Sequence, residues 1–380
     1  MRRAMAGALP STTDVLIVGA GIAGASLASA LAPHRSVLMI EAEDHPGVHA
    51  TGRSAAFWHE SYGGSGVQPL SSASFAMLAT PPADFSARGF LAQRTALTIG
   101  RASDAAAVDA FTREFRAKGV DVRRLSGAAV ADKVPGLRPE WCEAAYEPAC
   151  SDIDVAALHA AYLRAAKRAG AMLATRAPLR AVRRERGGWL VETGRGQVSA
   201  ALLVNAAGAW ADDIARLCGV SPVGIQPYRR TMLQVRLGVP VPASLPLVLD
   251  VGGSFYFKGE SEGRIWLTPH DETESAPCDA APDEIDVAVA IDRLQSATDW
   301  PVAAIERKWA GLRSFAPDRR PVFGADPHEA AFIWCAGQGG FGIQTSPAIS
   351  RLLAAQLGAS EPDGAVRAID AAAYSPRRFA

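Results

Sequence analysis

The sequence predicts a mixed α/β chain: a doubly wound domain built from separated pieces, with an antiparallel-sheet domain inserted. Three observations carry this. Residues 14–41, "DVLIVGAGIAGASLASALAPHRSVLMIE", read as β-α-β within about 30 residues, the usual length of that unit. The order of strand, small-residue turn and helix returns at residues 202–220 and again at 332–357. Between these pieces the chain alternates apolar and polar residues, punctuated by Pro and Gly, as antiparallel strands do.

In chain order, residues 15–18 form a short apolar run ending in glycine, the mark of a buried parallel strand. A helix of small residues follows over 22–31, then a second buried strand over 36–40. Residues 47–66 lack periodicity, yet this Gly- and Ser-rich stretch holds Phe57, Trp58 and Tyr62, a combination found in functional loops. Amphipathic helices are expected over 103–118, capped by Ser103 and burying Ala107, Val108, Phe111 and Phe115, and over 155–169, capped by Asp154. Residues 189–193 and 197–203 read as a hairpin, 226–258 as antiparallel strands and 284–294 as a helix. Residues 332–335 read as a buried strand, "AGQGGFG" as a glycine turn and 346–357 as a closing helix. The division that results is 12–62, 150–225 and 308–375 for the nucleotide domain, with 63–149 and 226–307 for the substrate domain.

The bulk composition narrows the function. The chain has 380 residues, 49% apolar and 21% charged, and a formal net charge of zero, so a sizeable core is available. Nothing points to nucleic acid or to an anionic membrane surface. Five cysteines without a C-x-x-C pair argue for reduced thiols in a cytoplasmic protein, at most peripheral to the inner membrane. No apolar run could span a bilayer. The opening residues 1–14 lack the apolar core of an export signal and read as a disordered lead. His45 and His49 are four apart, but Pro46 and Gly47 exclude a helix between them, so no metal site is expected.

Gly19, Gly21 and Gly24 form G-x-G-x-x-G between the first strand and the first helix. The first permits the tight turn, the second lets backbone approach a pyrophosphate, and the third lets helix and strand pack closely. The helix N-terminus then offers free N–H groups to phosphate. Glu41 stands 22 residues after Gly19, near the expected spacing of ~20, where a carboxylate accepts from a ribose hydroxyl. This defines a Rossmann-like domain. The nucleotide elements recurring late in the chain, and the lack of a second G-x-G-x-x-G, favour FAD over a nicotinamide dinucleotide and a fold of the glutathione-reductase type.

The stretches "HATGRSAA", "VNAAGAWAD", "WAGLRSFAPDRRPVFG" and "GQGGFGIQTSPA" resemble the D-amino-acid oxidase superfamily of flavoproteins, nearest to its branch of bacterial FAD-dependent D-arginine dehydrogenases. The resemblance covers nearly the whole chain and implies non-covalent FAD. The ADP half would lie on Gly19, Gly21, Ala23, Gly24, Glu41 and Ala42. The flavin would lie against Ala50, Thr51, Gly52, Arg53, Ser54, Ala55, Ala56 and Phe57. Pro178, Leu179, Ala206 and Gly208 would add backbone contacts, and Gly339, Gly340, Phe341, Gly342, Ile343 and Gln344 would meet the ring at the start of the last helix. Some relatives attach flavin covalently through a histidine in this region; His49 is read as structural. On the substrate side, Arg230 and Arg313 would clamp a carboxylate, Tyr62 and Tyr256 would offer hydroxyls to the same groups, and the Gly340 carbonyl would receive the amine. Trp58, Trp210 and Trp309 are read as packing. The implied reaction is oxidative deamination of a D-amino acid by hydride transfer to flavin N5, giving an imino acid that water converts to a 2-oxo acid. The electron acceptor would be O2 or a quinone and the protein a monomer or homodimer. A secondary-amine oxidase or dehydrogenase acting on sarcosine- or proline-like compounds is the alternative.

One departure bears on the substrate. Arginine-specific relatives place an acid within the region matching residues 89–100, and here Ala96 takes its place; Phe57 stands where they have histidine. A cationic side chain would be buried without a partner. With Leu247 and Leu249 expected to line the side-chain pocket, and Glu60 the only acid nearby in the loop, a preference for neutral, rather apolar D-amino acids follows.

Overall fold

A computed structural model describes residues 9–380; residues 1–8 of the expected lead lie outside the described residues. The first sheet centres on strand Thr12–Val18. This strand pairs in parallel with Val37–Ile40 on one side and Gly196–Asn205 on the other, Val15 lying opposite both Val37 and Leu202. Met172–Ala174 extends the sheet beyond Val37–Ile40, and Phe332–Ala336 joins the late half of Gly196–Asn205 in parallel. Gly188–Thr193 and Leu179–Glu185 complete the antiparallel edge, confirming the expected hairpin. Strands buried on both faces need helices on both faces. One face is covered by helices Ile22–Leu31, Val155–Arg168 and Gly342–Gln356. Its core includes Ile17, Leu27, Val37, Phe323 and Leu353. The other face packs Leu16, Leu38, Trp189, Phe332 and Trp334.

The second sheet runs in the order Thr273–Glu274, Gln226–Leu237, Arg264–Thr268, Tyr256–Ser261, Leu247–Asp250, Ala96–Gly100, Glu143–Glu147, Arg123–Ser126. Only the pairing of Leu247–Asp250 with Ala96–Gly100 is parallel. The long strand Val302–Phe315 pairs with Gln226–Leu237 along its length, so the expected domain boundary at 308 falls inside a continuous strand. A small sheet of Phe57–Trp58, Ser151–Ile153 and Leu91–Gln93 lies in the chain connecting the two large ones.

Two local expectations are corrected. The helix expected from 103 is Ala105–Arg116, with Asp104 rather than Ser103 in the cap position. Asp104 turns its carboxylate back to the Arg101 N–H at 2.8 Å; Val108 and Phe115 are buried while Ala107 is exposed. The closing helix begins at Gly342, not 346. Its interior Pro347 leaves the Ile343 carbonyl without a backbone donor, and the Ser346 hydroxyl donates to that carbonyl at 3.0 Å. Asp154 caps its helix as expected, accepting from the Ala157 N–H at 2.9 Å.

Candidate active site

A cavity of about 460 Å³ runs from the glycine turn after the first strand to the two arginines on the second sheet. At the turn, Gly19 has φ +99°, and a Cβ there would lie 2.5 Å from the Ala206 carbonyl oxygen. A Cβ on Gly24 would lie 2.0 Å from the Gly19 oxygen, so this residue closes the turn onto its own helix. Thr51 accepts from the Ile22 N–H at 3.0 Å, tying the 47–56 loop to the helix N-terminus. The next N–H groups of that helix have no intrahelical acceptor. Glu41 accepts from the N–H of Ala20 at 2.9 Å and of Glu43 at 3.1 Å. His159 donates to the Ala20 carbonyl at 2.8 Å, buttressing the same loop. Burial lowers the pKa of that imidazole.

The predicted residues Gly19, Gly21, Ala23, Glu41, Ala42, Ala50, Thr51, Arg53, Ser54, Ala55, Pro178, Leu179, Ala206, Gly208, Gly339, Gly340, Gly342 and Ile343 all line this cavity, together with Arg230 and Arg313. Gly24, Gly52, Ala56, Phe57, Tyr62, Tyr256, Phe341 and Gln344 do not line it. Gly52 packs on the Gly47 carbonyl. Ala56 and Phe57 are buried in side-chain clusters, and Phe341 packs edge-on against Tyr62 and Phe315. Gln344 is a brace, accepting from the His59 N–H and donating to Ser71 Oγ at 2.8 Å. The cavity also touches Met232, Trp210 and His49, which the sequence reading did not place in the cofactor site. His49 is paired with Glu43 at 2.9 Å and packed against Trp210 at 4.8 Å, as a structural histidine would be. Trp58 and Trp309 donate to the carbonyls of Ser71 and Arg53.

The far end of the cavity is built by strand register. Arg230 lies opposite Gly311, two residues from Arg313 on the neighbouring strand, so both side chains leave the same face of the sheet. Arg313 donates to Tyr62 Oη at 2.7 Å and to Tyr256 Oη at 3.2 Å. Arg230 is 3% exposed and donates through Nε to the Asp271 carbonyl at 2.7 Å and through Nη2 to Glu272 at 3.1 Å. Its Nη1 is buried without a partner. Burial, and then the like charge of Arg313, push this guanidinium down to about 10. A buried cation beside another cation, with one N–H unpaired, has the hydrogen-bonding chemistry of a group that could bind an anion. The phenols around Arg313 split: burial raises Tyr62, but Arg313 and Arg230 outweigh it and leave it below its ordinary value. Burial raises Tyr256 and it stays raised.

Behind this end, Phe57, Ala96, Cys150, Met232, Leu247, Leu249 and Tyr256 form one buried cluster. Leu247 and Leu249 are packed inside it and do not line the cavity, which corrects their expected place. No acid sits at Ala96, and Glu60 is hydrogen-bonded to Ser72 instead of reaching the cavity. His270, absent from the sequence reading, stands beside Tyr62 with its Nε2 3.4 Å from the phenol oxygen. Among the described residues no cluster could hold a metal ion, and no helix is long and apolar enough to cross a membrane.

A glycine cradle with no room for a Cβ, a helix N-terminus, an acid lining the cavity at the end of the second strand and a long apolar cavity fit FAD. This fold and site define a dinucleotide-binding flavoprotein of the oxidoreductase class. The chain belongs to the FAD dependent oxidoreductase family, whose profile matches residues 14–356. It is 26% identical over 360 residues to the glycine oxidase of Geobacillus kaustophilus (strain HTA426), covering 90% of this chain and 92% of that protein. It is 29% identical over 241 residues to the mitochondrial dimethylglycine dehydrogenase of Mus musculus, covering 57% of this chain but only 27% of that protein. In structure it is similar to the crystal structure of glycine oxidase from Geobacillus kaustophilus, with TM-score 0.83, 24% identity, and 98% and 100% of the two chains covered. The superfamily is as the motifs implied. The narrower likeness to D-arginine dehydrogenases is not what these relatives support; they are named for glycine and dimethylglycine.

Proposed function

We infer that this chain oxidises a small, neutral α-amino acid whose carboxylate is held by Arg230 and Arg313, with D-amino acids of uncharged side chain as the first substrate class. The observation that carries it is the unpartnered Nη1 of Arg230, buried beside Arg313 at the end of the cavity. Two guanidinium groups on one sheet face suit a carboxylate better than any neutral group. The D configuration rests on the resemblance of the motifs to the D-amino-acid oxidase superfamily. Neutrality rests on Ala96 and on the close-packed cluster behind Tyr256, which has no carboxylate for a cationic side chain.

When bound, FAD supplies the two-electron acceptor for oxidation of the C–N bond. The residues that would hold it are the glycine turn at Gly19 and Gly21, Glu41, residues 50–55 and the helix beginning at Gly342. That helix N-terminus presents unpaired N–H groups to the cavity and favours negative charge there. Arg230 and Arg313 would orient the substrate, and the Gly340 carbonyl would receive an amine hydrogen. An imine product leaves the site and water converts it to an oxo acid. A second reading, oxidation of N-alkylated glycines, is favoured by the likeness to dimethylglycine dehydrogenase over 57% of the chain.

The test is anaerobic bleaching of the visible flavin band in the purified holoprotein. Glycine, D- and L-alanine, D-leucine, sarcosine, dimethylglycine, D-proline and D-arginine form the panel. Fastest bleaching by a neutral D-amino acid is expected. Fastest bleaching by D-arginine would overturn the neutral-pocket argument, and by an N-methyl glycine would move the assignment to the second reading.

A further inference from the structure

His270 sits in a residue conformation that a non-glycine side chain rarely adopts, φ +54°. That backbone carries its ring over the Tyr62–Arg313–Tyr256 group, edge-on to Tyr256 at 5.7 Å. Its Nδ1 is 2.6 Å from the Gly253 carbonyl oxygen. A carbonyl only accepts, so Nδ1 carries the hydrogen. Burial, and then Arg230 and Arg313, push the imidazole down to about 3, so the ring is neutral and Nε2 holds a lone pair. Arg319 adds to this repulsion; the groups facing the ring are Tyr62, Tyr256 and the three arginines. That lone pair lies 3.4 Å from Tyr62 Oη, which already accepts from Arg313 Nη1 at 2.7 Å. The hydroxyl hydrogen of Tyr62 cannot point at Arg313, which only donates.

We propose that His270 is a positioning residue that takes the hydroxyl hydrogen of Tyr62, so that the phenol faces the substrate as an acceptor for its amine and not as a donor to its carboxylate. This rests on the reading of Arg230 and Arg313 as the carboxylate clamp and deepens it: the clamp holds the acid end, and the Tyr62–His270 couple recognises the nitrogen. The phenol oxygen has two lone-pair directions. Arg313 occupies one; Arg230 also lies close enough to lower this phenol, but its Nη1 makes no hydrogen bond, which leaves the other direction for an ammonium or amine N–H. An acceptor there prefers substrates that carry at least one N–H when bound.

The experiment compares two readouts in His270→Phe, His270→Gln and Tyr62→Phe holoproteins. One is kcat/KM for the best amino-acid substrate of the panel. The other is the inhibition constant of a simple aliphatic carboxylate, propionate, which reports the arginine clamp alone. For His270→Phe, kcat/KM is expected to fall by about tenfold to hundredfold, the size of one hydrogen bond to a charged group, with propionate inhibition within about twofold of wild type. Tyr62→Phe is expected to show the same split, and His270→Gln, whose amide oxygen can accept, to recover most of the loss. Equal losses in both readouts, no loss in either, or no recovery with glutamine would overturn the assignment. If wild-type protein turns over the amino acid but Arg313→Met leaves propionate inhibition unchanged, the clamp reading fails instead, and the two failures are told apart.

Discussion

Arg313 and Arg230 share one face of the sheet but differ in their surroundings. Arg313 is satisfied by two phenols and Arg230 by a carbonyl and a carboxylate, yet only Arg230 keeps a buried N–H in reserve. Removing either should cost binding through desolvated charge, not through lost packing. For Arg313→Met, kcat/KM is expected to fall by about thirtyfold or more, as truncating a buried charge partner does, while FAD content is retained. Arg230→Lys should not restore wild-type activity, because an ammonium cannot offer the planar fork. A Cβ on Gly340 would lie 2.7 Å from Arg313 Nη1, so Gly340→Ala should push the guanidinium off Tyr62. Steady-state kinetics beside the ratio of flavin to protein absorbance check all three. A parallel loss of flavin would place these residues in cofactor binding instead.

At the scale of elements, legibility tracked how local the cause was. The β-α-β opening was readable because Gly19, Gly21 and Gly24 each answer a steric demand within a few residues. Asp154 was readable because a cap acts on its own first turn. Ser103 misled because Asp104 competes for the same turn and wins with the Arg101 N–H. The start of the last helix was hidden because Pro347 and the glycine run argue for a break, and the Ser346 hydroxyl that repairs it is visible only once the helix exists. His270 left no trace in the sequence, since its role depends on Gly253 and Tyr62, distant in sequence and brought together by the second sheet. The glycine turn itself yields a sharp expectation. Gly19→Ala combines φ +99° with a contact of 2.5 Å to the Ala206 oxygen, and Gly24→Val a contact of 2.0 Å to the Gly19 oxygen. Both proteins should purify without flavin and bind added FAD at least about tenfold more weakly, read by fluorescence quenching of free FAD. Retention of wild-type flavin affinity in both would mean that the cofactor lies elsewhere.

Across the whole molecule, the loop of residues 47–62 bolts the nucleotide sheet to the second sheet. Arg53 reaches the carbonyls of Ala280 and Ala310 at 2.9 and 3.0 Å and pairs with Asp279, and Trp309 donates back to the Arg53 carbonyl. Further along the loop, His59 meets Glu147 at 3.3 Å, and the same carboxylate accepts the Glu60 N–H at 2.9 Å. The two side chains are 2% and 3% exposed, so the contact is shielded from salt. Glu147 ends a strand of the second sheet, so its protonation is expected to weaken the contact that ties the loop to that sheet. Burial pushes the Glu147 carboxyl up, but His59 outweighs it, and the group titrates below its ordinary value of 4.5. A depressed carboxyl stabilises the fold above its unfolded-state pKa, and that contribution disappears as the pH falls through the folded-state value. Wild-type holoprotein should therefore lose stability below about pH 4.5 more steeply than Glu147→Gln, which cannot titrate there. Near neutral pH the variant should be the weaker of the two, because it leaves His59 with a poorer acceptor. Urea denaturation of both holoproteins from about pH 6 down to about pH 3 measures the difference, which should hold above about pH 4.5 and narrow below it. A gap that stays constant below about pH 4.5 as well would show that Glu147 contributes shape to the joint and no charge.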